Sequence, residues 1–349
     1  MATNERIPHA LMLLGMTGSG DLALALAFAQ YVLCANPVGD DACGVCGPCS
    51  KAGKMIHPDL HFSFPTVGAN VVSDQHLADF RTAVLENPYL DANQWFQHIG
   101  AENKQGNINK DECVNIIRKL SLKTFESRYK ILILWLPEYL DKEGNRLLKL
   151  IEEPPDNTLL IFVAQNQELI LSTILSRCQL VKVPRLTDEE VEAGLVKMKN
   201  LPLESARSAA QLADGDFNEA LKIAAQPEKD NSARFLEWMR KCYLGNGVEM
   251  TNWSEEFAGL GRENQKQFFQ YALHFLREYV ILKTTGGAHV RLLPNELKTA
   301  QNLLKILGVG QVERIVKLFN DCAAFIERNA NQKLLFLDAS IKLNKILRS

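Results

Sequence analysis

Three features that would assign the protein to a special class are missing from its sequence. No apolar run approaches the roughly 20 residues that span a bilayer, so no transmembrane segment is predicted. The segment from Met1 to Ile7 is polar and lacks the charged-then-apolar order of a signal peptide, which predicts a cytoplasmic protein without a membrane partner. The formal net charge of -2 gives no basic footprint for nucleic acid. A role on DNA would therefore depend on other members of an assembly.

The composition is otherwise ordinary, with cysteine as the exception. Hydrophobic residues make up 46% and charged residues 23% of 349 residues, as in a globular chain of two or three domains. A reducing cytosol disfavours disulfides, so the eight cysteines need another explanation. Four of them are scattered and are predicted to be buried or half-buried structural residues: Cys113, Cys178, Cys242 and Cys322.

The other four cysteines lie close together in the sequence. Within 16 residues, gaps of eight, two and two residues separate Cys34, Cys43, Cys46 and Cys49. This spacing places four thiolates within reach of one ion, and structural zinc favours four tetrahedral ligands. Such a closed site leaves no position for a reactive water, which disfavours catalytic zinc. Free thiols and an iron–sulfur cluster are the alternatives, and spacing alone does not exclude the cluster. The prediction is a structural zinc site.

A glycine-rich loop stands between a predicted strand and a predicted helix. The apolar run Leu11–Leu14 is typical of a buried parallel strand, and the alanine- and leucine-rich stretch Asp21–Ala29 is typical of a helix. Strand, glycine loop and helix are the context of a phosphate-binding loop, although a simple glycine-rich turn before a core helix has the same pattern. The candidate phosphate-contacting residues are Gly15, Gly18 and Gly20.

The loop lacks the residues that carry phosphate chemistry. An active loop continues with a lysine, which neutralises phosphate, and a hydroxyl residue, which holds magnesium. Those positions are Asp21 and Leu22. A carboxylate about 4 Å from a phosphate charge could cost roughly 4 kcal/mol at an effective dielectric near 20. We therefore expect a loop of the usual shape that does not hydrolyse ATP.

Further apolar runs predict the rest of a sheet. Residues 129–136, 158–164 and 179–183 are strand candidates, and predicted helices separate them. Strands that alternate with helices indicate a parallel sheet covered on both faces.

On these residues the sequence closely resembles the clamp-loader family of AAA+ proteins, and within it the delta prime subunits of bacterial DNA polymerase III. The cysteine spacing and the tripeptide Ser176-Arg177-Cys178 are its most specific motifs, and strong matches cover about residues 7–65 and 108–183. The other matching stretches are Ile7–Ala10, the glycine loop, His57–Leu60, Leu120–Tyr129 and Leu147–Pro155. The resemblance implies a P-loop NTPase-like parallel-sheet domain with an embedded zinc module, then a helical lid and an all-helical collar.

The resemblance also implies that this chain has no ATPase activity of its own. In the family a strand normally ends in Asp-Glu, which holds magnesium and activates water, but these positions fall on Trp135 and Leu136. Glu138 lies close by but beyond the expected place. The arginine that active members carry on the lid helix aligns with Glu219. Together with Asp21, three independent nucleotide contacts are lost, which resembles delta prime rather than the active gamma and tau subunits.

Arg177 is the one residue that the resemblance assigns to catalysis, and it acts in trans. In the family, the arginine of Ser-Arg-Cys points at the ATP of the adjacent subunit. A planar, permanently charged guanidinium suits that task. An arginine finger stabilises charge on the γ-phosphate and is worth roughly 10³ to 10⁵ in rate in GTPases. The alternative is a surface residue in an interface salt bridge.

Three domains are predicted: residues 1–183 with the zinc module at 34–49, a helical lid at 184–228, and an all-helical oligomerisation collar at 229–349. Thr187 and Glu190 form a possible capping box where the lid begins, and the polar segment 226–231 breaks the helical pattern. From residue 233 onward about five amphipathic helices are expected. The stretch 268–281 is apolar around much of its circumference, which predicts burial in a core or a subunit interface.

The leading functional hypothesis is a noncatalytic clamp-loader subunit of DNA polymerase III. By resemblance its partners are the gamma or tau subunits and the delta subunit in a hetero-pentamer, and the sliding clamp and primed DNA through that assembly. Zinc is its only expected cofactor. Two alternatives stay open: an active ATPase of the gamma or tau type, and a zinc-stabilised interaction protein unrelated to replication.

Overall fold

The computed structural model describes residues 7–102, 104–225, 231–287, 290–292, 294–328 and 330–349. These residues belong to two compact units. The first contains the chain up to Gly194 together with Ala213–Leu221, and the second contains Leu195–Leu212 together with Lys222–Ser349. Within the described ranges, no helix is both long enough and apolar enough to cross a bilayer.

The first unit is built on a five-stranded parallel sheet. In spatial order β2-β3-β4-β1-β5, its strands are β1 (Ala10–Gly15), β2 (Leu60–Ser63), β3 (Lys130–Trp135), β4 (Thr158–Ala164) and β5 (Gln179–Val183). The four strands that the apolar runs predict are all present. The fifth, β2, has only four residues and one of them is histidine, so it gives no clear apolar run. The predicted fold class is confirmed.

Successive strand residues point to opposite sides of a sheet. Residues from both sides of this sheet lie in hydrophobic cores. Leu11 and Leu13 belong to the core on one face, with residues of α1 (Asp21–Leu33) and α3 (Leu77–Glu86). Met12 belongs to the core on the other face, with residues of α5 (Lys110–Ser121). Every residue of β3 and β4 is buried. The glycine loop follows β1 and therefore stands at the carboxyl edge of the sheet.

Shorter helices complete the first unit around the sheet. They are α2 (Gly47–Gly53), α4 (Ala92–His98), α6 (Leu148–Glu152) and α7 (Ser172–Leu175), with 3-10 turns at Ser73–His76, Pro137–Leu147 and Gln167–Leu169. Described residues within 66–107 contribute to the core. Trp95 is fully buried, donates its indole N–H to the Pro65 carbonyl at 2.7 Å, and contacts Phe64 and Phe80 edge to face.

Three helices follow the sheet: α8 (Asp188–Lys199), α9 (Leu203–Ala213) and α10 (Phe217–Ala224). The predicted capping box at the start of α8 is confirmed. The Glu190 backbone N–H donates to Thr187 Oγ1 at 3.2 Å, and the Thr187 backbone N–H donates to the Glu190 carboxylate at 2.8 Å. The polar segment at the predicted second boundary falls mostly on residues 226–230, which lie outside the described residues.

The described part of the chain after residue 230 holds six helices rather than about five. They are α11 (Asn231–Leu244), α12 (Gly247–Ala258), α13 (Arg262–Thr285), α14 (Pro294–Leu303), α15 (Val309–Glu327) and α16 (Gln332–Arg348). The extra break arises because Gly245 adopts φ of 74° and the Asn246 side chain caps α12. On α13, Phe268, Phe275 and Tyr279 are fully buried, so the apolar stretch at 268–281 forms core.

Candidate functional site

The glycine loop joins β1 to α1 through a tight turn. Gly18 and Gly20 adopt φ of 73° and 84°, which glycine tolerates without strain. The Ser19 N–H donates to the Met16 carbonyl at 3.0 Å and closes the turn. A Cβ on Gly18 would lie 1.8 Å from Asp216 Oδ1, so no larger residue fits there without movement. Of the predicted residues, Gly15 therefore ends β1, while Gly18 and Gly20 lie in the loop that leads to α1.

Asp21 places its own carboxylate at the start of α1. Asp21 Oδ1 accepts the Leu22 backbone N–H at 2.8 Å, one of the first-turn N–H groups that a phosphate would otherwise use. The side chain is only 5% exposed, and Oδ2 has no hydrogen-bond partner in the described part of the chain. Burial, aided by the negative charge of Glu138, raises the pKa of Asp21 to about 7. The residue that removes the lysine thus also adds an internal anion.

The loop is covered from outside by two segments of the same unit. The Phe217 N–H donates to the Gly18 carbonyl at 3.0 Å. Tyr89 lies against Gly20, where an added Cβ would be 3.1 Å from its ring, and it packs on Phe217 with ring centroids 4.5 Å apart. Asn87 donates to the Asn218 side chain at 2.8 Å and joins the two covering segments. Residues 66–107 therefore supply part of this cover.

The other two predicted losses lie in the same unit. Trp135 is 1% and Leu136 is 2% exposed, and both belong to the hydrophobic core rather than to a metal site. Glu138 is held by the backbone N–H groups of Gln165 at 2.5 Å and Asn166 at 2.7 Å, directly after β4. Burial raises its pKa. Glu219 lies in the first turn of α10, where active members carry an arginine by resemblance.

The four clustered cysteines come together in space. Their Sγ atoms all lie within 4.8 Å of one another, and the pairs Cys34–Cys46 and Cys43–Cys49 are each 4.0 Å apart. Sulfurs around tetrahedral zinc, at about 2.3 Å from the metal, are about 3.8 Å apart, so this arrangement could hold such an ion. These distances also rule out S–S bonds in this conformation, and all eight cysteines are free.

Backbone N–H groups prepare two of these sulfurs for a metal. The Cys43 N–H points at Cys34 Sγ at 3.3 Å, and the Cys49 N–H at Cys46 Sγ at 3.5 Å. Hydrogen bonds from the N–H groups of Cys49 and Ala35 lower the pKa of Cys46 to about 6. Since metals bind the thiolate, a lowered thiol pKa favours binding at neutral pH.

A charged network ties the cysteine module to the sheet. Lys51 on α2 pairs with Glu126 at 2.6 Å, and His57 Nε2 faces the other oxygen of that carboxylate at 3.2 Å. His57 Nδ1 accepts the Asp59 N–H at 3.1 Å, so the proton of the neutral ring lies on Nε2. Burial lowers the pKa of His57, which keeps the ring neutral.

Asp59 fixes the loop that carries Glu126. Its carboxylate accepts three consecutive backbone N–H groups, from Phe125 at 2.5 Å, Glu126 at 2.9 Å and Ser127 at 2.8 Å. Burial opposes ionisation of Asp59, but these three hydrogen bonds hold its pKa below the usual range. Phe125 itself is 80% exposed at the tip of this loop.

Arg177 lies at the opposite edge of the sheet from the glycine loop. It precedes β5, an edge strand whose Gln179 pairs with Leu11 and whose Val183 pairs with Gly15. A strand of this length spans about 13 Å, so Arg177 cannot reach the loop of its own chain. Its side chain is one-third exposed, and Nε donates to Glu152 at 2.5 Å.

Taken together, the parallel sheet and the glycine loop after its first strand have the arrangement of an AAA+ P-loop-like fold, with Asp21, Trp135 and Leu136 at the positions discussed above. The profile of the family described as "DNA polymerase III, delta subunit" matches residues 1–187. This match covers more than half of the 349 residues, and the chain belongs to that family.

Individual relatives agree with this assignment. DNA polymerase III subunit delta' of Escherichia coli K12 is 24% identical over 62% of this chain and 54% of its own length. Its counterpart from Haemophilus influenzae is 28% identical over 55% of this chain and 47% of its own length. The chain thus spans about half the length of the curated relatives it matches. A DNA polymerase III gamma subunit-related structure from Thermotoga maritima aligns over 99% of this chain at 12% identity and a TM-score of 0.41, too low to carry an argument.

Proposed function

We propose that this protein is a noncatalytic subunit of a bacterial clamp loader, the assembly that uses ATP to open a sliding clamp and place it on primed DNA. One observation carries the proposal: the Asp21 carboxylate takes the Leu22 N–H at the start of α1. A nucleotide phosphate at this position would meet a buried acid instead of a lysine. The similarity to relatives named DNA polymerase III subunit delta' supports a place for the chain in that polymerase's assembly.

The remaining features of the site agree with a subunit that does not turn over ATP. Trp135 and Leu136 offer no oxygen for magnesium and no base for water. Tyr89 and Phe217 contact the loop at Gly20 and Gly18. We therefore expect neither tight nucleotide binding nor hydrolysis by the isolated chain.

Arg177 is the residue that would serve a neighbour. It lies just before the edge strand β5 and is partly exposed, as a group that crosses a subunit boundary must be. It lies too far from its own glycine loop to act in cis. In this proposal its guanidinium stabilises charge on the γ-phosphate of ATP bound to an adjacent gamma or tau subunit.

Zinc is the metal that we propose for the four cysteines. Cys34, Cys43, Cys46 and Cys49 would hold it as thiolates, and such an ion stabilises a fold without leaving an open coordination position. Lys51, Glu126 and His57 would transmit that stability to the sheet. Metal analysis of the purified chain separates zinc from an iron–sulfur cluster.

The three-part division belongs to the same proposal. Residues 1–183 would form the AAA+ domain, residues 184–228 a lid, and residues 229–349 the collar that joins the subunits of a hetero-pentamer with gamma or tau and delta. The aromatic core around α13 gives the last part an independent hydrophobic core.

ATP turnover by the reconstituted loader tests the proposal. The loader is assembled with the native chain or with Arg177→Ala, and turnover is measured with clamp and primed DNA. We expect a severalfold or greater fall with intact assembly, because an arginine finger is worth orders of magnitude at the site it serves. Arg146→Ala is the matched control, since Arg146 is also an exposed arginine paired with a glutamate.

Three results would count against the proposal. Unchanged turnover with Arg177→Ala returns that residue to an interface salt bridge and leaves a scaffold at most. ATP hydrolysis by the isolated chain favours the gamma or tau alternative. Failure to assemble with the other subunits favours an interaction protein outside replication.

A further inference from the structure

Glu152 holds the guanidinium of Arg177 from the side. Arg177 Nε donates to Glu152 Oε1 at 2.5 Å, and Nη2 contacts the same carboxylate. On the other side, Nη1 donates to the Thr173 carbonyl at 2.8 Å and to Ser176 Oγ at 3.2 Å. Glu152 ends α6, while Thr173 and Ser176 flank Arg177 at α7, so two separate elements position the side chain.

This arrangement leaves little of the guanidinium for a phosphate. Arginine has five N–H donors, and four are engaged in the contacts above. A bidentate contact to phosphate needs two parallel N–H groups on one edge. The Nε–Nη2 edge is taken by Glu152, and the Nη1–Nη2 edge has its Nη1 donors taken by Thr173 and Ser176. Glu152 also carries a negative charge that repels a phosphate approaching the same group.

We propose that Glu152 is a positioning residue that binds Arg177 and releases it only when the neighbouring nucleotide competes for the guanidinium. The inference rests on the proposed function, because it assumes that Arg177 acts in trans. The pair is partly exposed, with 33% of the Arg177 side chain and 47% of the Glu152 side chain accessible. Ion pairs of this exposure shift an equilibrium by up to about fivefold. The ion pair between Glu152 and Arg177 is therefore weak enough for a phosphate to displace the carboxylate.

The first measurement is made on the isolated chain and needs no loader. Phenylglyoxal modifies accessible arginines, and peptide mass spectrometry gives the rate at each one. Glu152→Gln should raise the rate at Arg177 about threefold to fivefold and leave Arg146 unchanged. Glu143→Gln is the matched control, because Glu143 accepts Arg146 Nε at 2.6 Å and should change Arg146 alone. An unchanged rate at Arg177 in Glu152→Gln would overturn the proposed role of Glu152.

The second measurement distinguishes the proposed role of Glu152 from the proposed function of Arg177 on which it rests. In the reconstituted loader, Glu152→Gln should raise kcat/KM for ATP about threefold to fivefold, mainly through a lower KM, and the gain should vanish in the Arg177→Ala background. A merely structural glutamate would lower turnover or leave it unchanged, and either result overturns the inference while Arg177→Ala still impairs the loader. If Arg177→Ala has no effect, the proposed function itself fails, whatever the phenylglyoxal rates are.

Discussion

Replacing Asp21 with asparagine should stabilise the protein, and more so at higher pH. Asparagine keeps an Oδ1 acceptor for the Leu22 N–H but carries no charge. It also replaces the partnerless oxygen with an amide, close to the negative charge of Glu138. The substitution therefore removes the buried charge without removing the contact that caps α1.

The magnitude follows from the shifted pKa. Folding raises the pKa of the Asp21 carboxyl from its ordinary value of 3.8 to about 7. Because the folded pKa is the higher one, the unfolded chain loses this proton first, and the free energy of unfolding falls as pH rises from about 4 to about 7. A rise of this size in the pKa corresponds to about 4 kcal/mol in the free energy of unfolding. Asp21→Asn should match the native chain near pH 4 and exceed its stability by up to about 4 kcal/mol at pH 8.

Urea titrations at pH 5, 6, 7 and 8 measure this difference. Hydrogen exchange of peptides from β1 and β3 reports on the unit that contains Asp21, so unfolding of the second unit is not mistaken for it. Asp156→Asn serves as the control, because Asp156 is exposed and should change stability little at any of these pH values. If the advantage of Asp21→Asn does not grow between pH 5 and pH 8, the carboxyl is not buried as described.

Two further predictions concern the parts that support the sheet. Chelation, or Cys46→Ser, should lower the melting temperature and release about one zinc ion per chain, because metal binding contributes folding free energy. Cys178→Ser should leave the zinc content unchanged. An unchanged melting temperature after verified metal loss contradicts this prediction. Asp59→Asn should cost about 3 kcal/mol near pH 7 in urea unfolding, because an amide cannot accept three N–H groups as a carboxylate does. Since the folded pKa of Asp59 is lowered, its contribution should disappear as pH falls below about 4, and a loss that persists at lower pH would point to packing instead.

Local sequence patterns predicted the parts of the fold that depend on neighbouring residues. Apolar runs located four strands, and the two CxxC steps located a cluster whose sulfurs meet. β2 was missed because four residues with a histidine carry no periodicity. The number of helices after residue 230 was expected only approximately, because a break such as the one between α11 and α12 depends on Gly245 and Asn246 alone. Boundaries of this kind are decided by one or two residues.

Contacts between distant residues could not be predicted. Glu152 and Arg177 are 25 positions apart, and Asp59 and Glu126 are 67 apart, so no spacing rule joins them. Tyr89 lies in a segment without a motif, and only the folded chain brings it to Gly20. The loss of lysine at Asp21 was evident from the sequence, but the raised pKa was not, because it depends on burial and on Glu138.

The contacts on the glycine loop bear on how its sequence could change. Placing a lysine at Asp21 and a threonine at Leu22 would create the phosphate-loop motif in the sequence, but Phe217 would still bond the Gly18 carbonyl and Tyr89 would still lie on Gly20. Contacts of this kind belong to the packing of the fold, so changing them costs stability. A short motif in the sequence is therefore not sufficient to make a site, because the surroundings of the loop are part of the same packed structure.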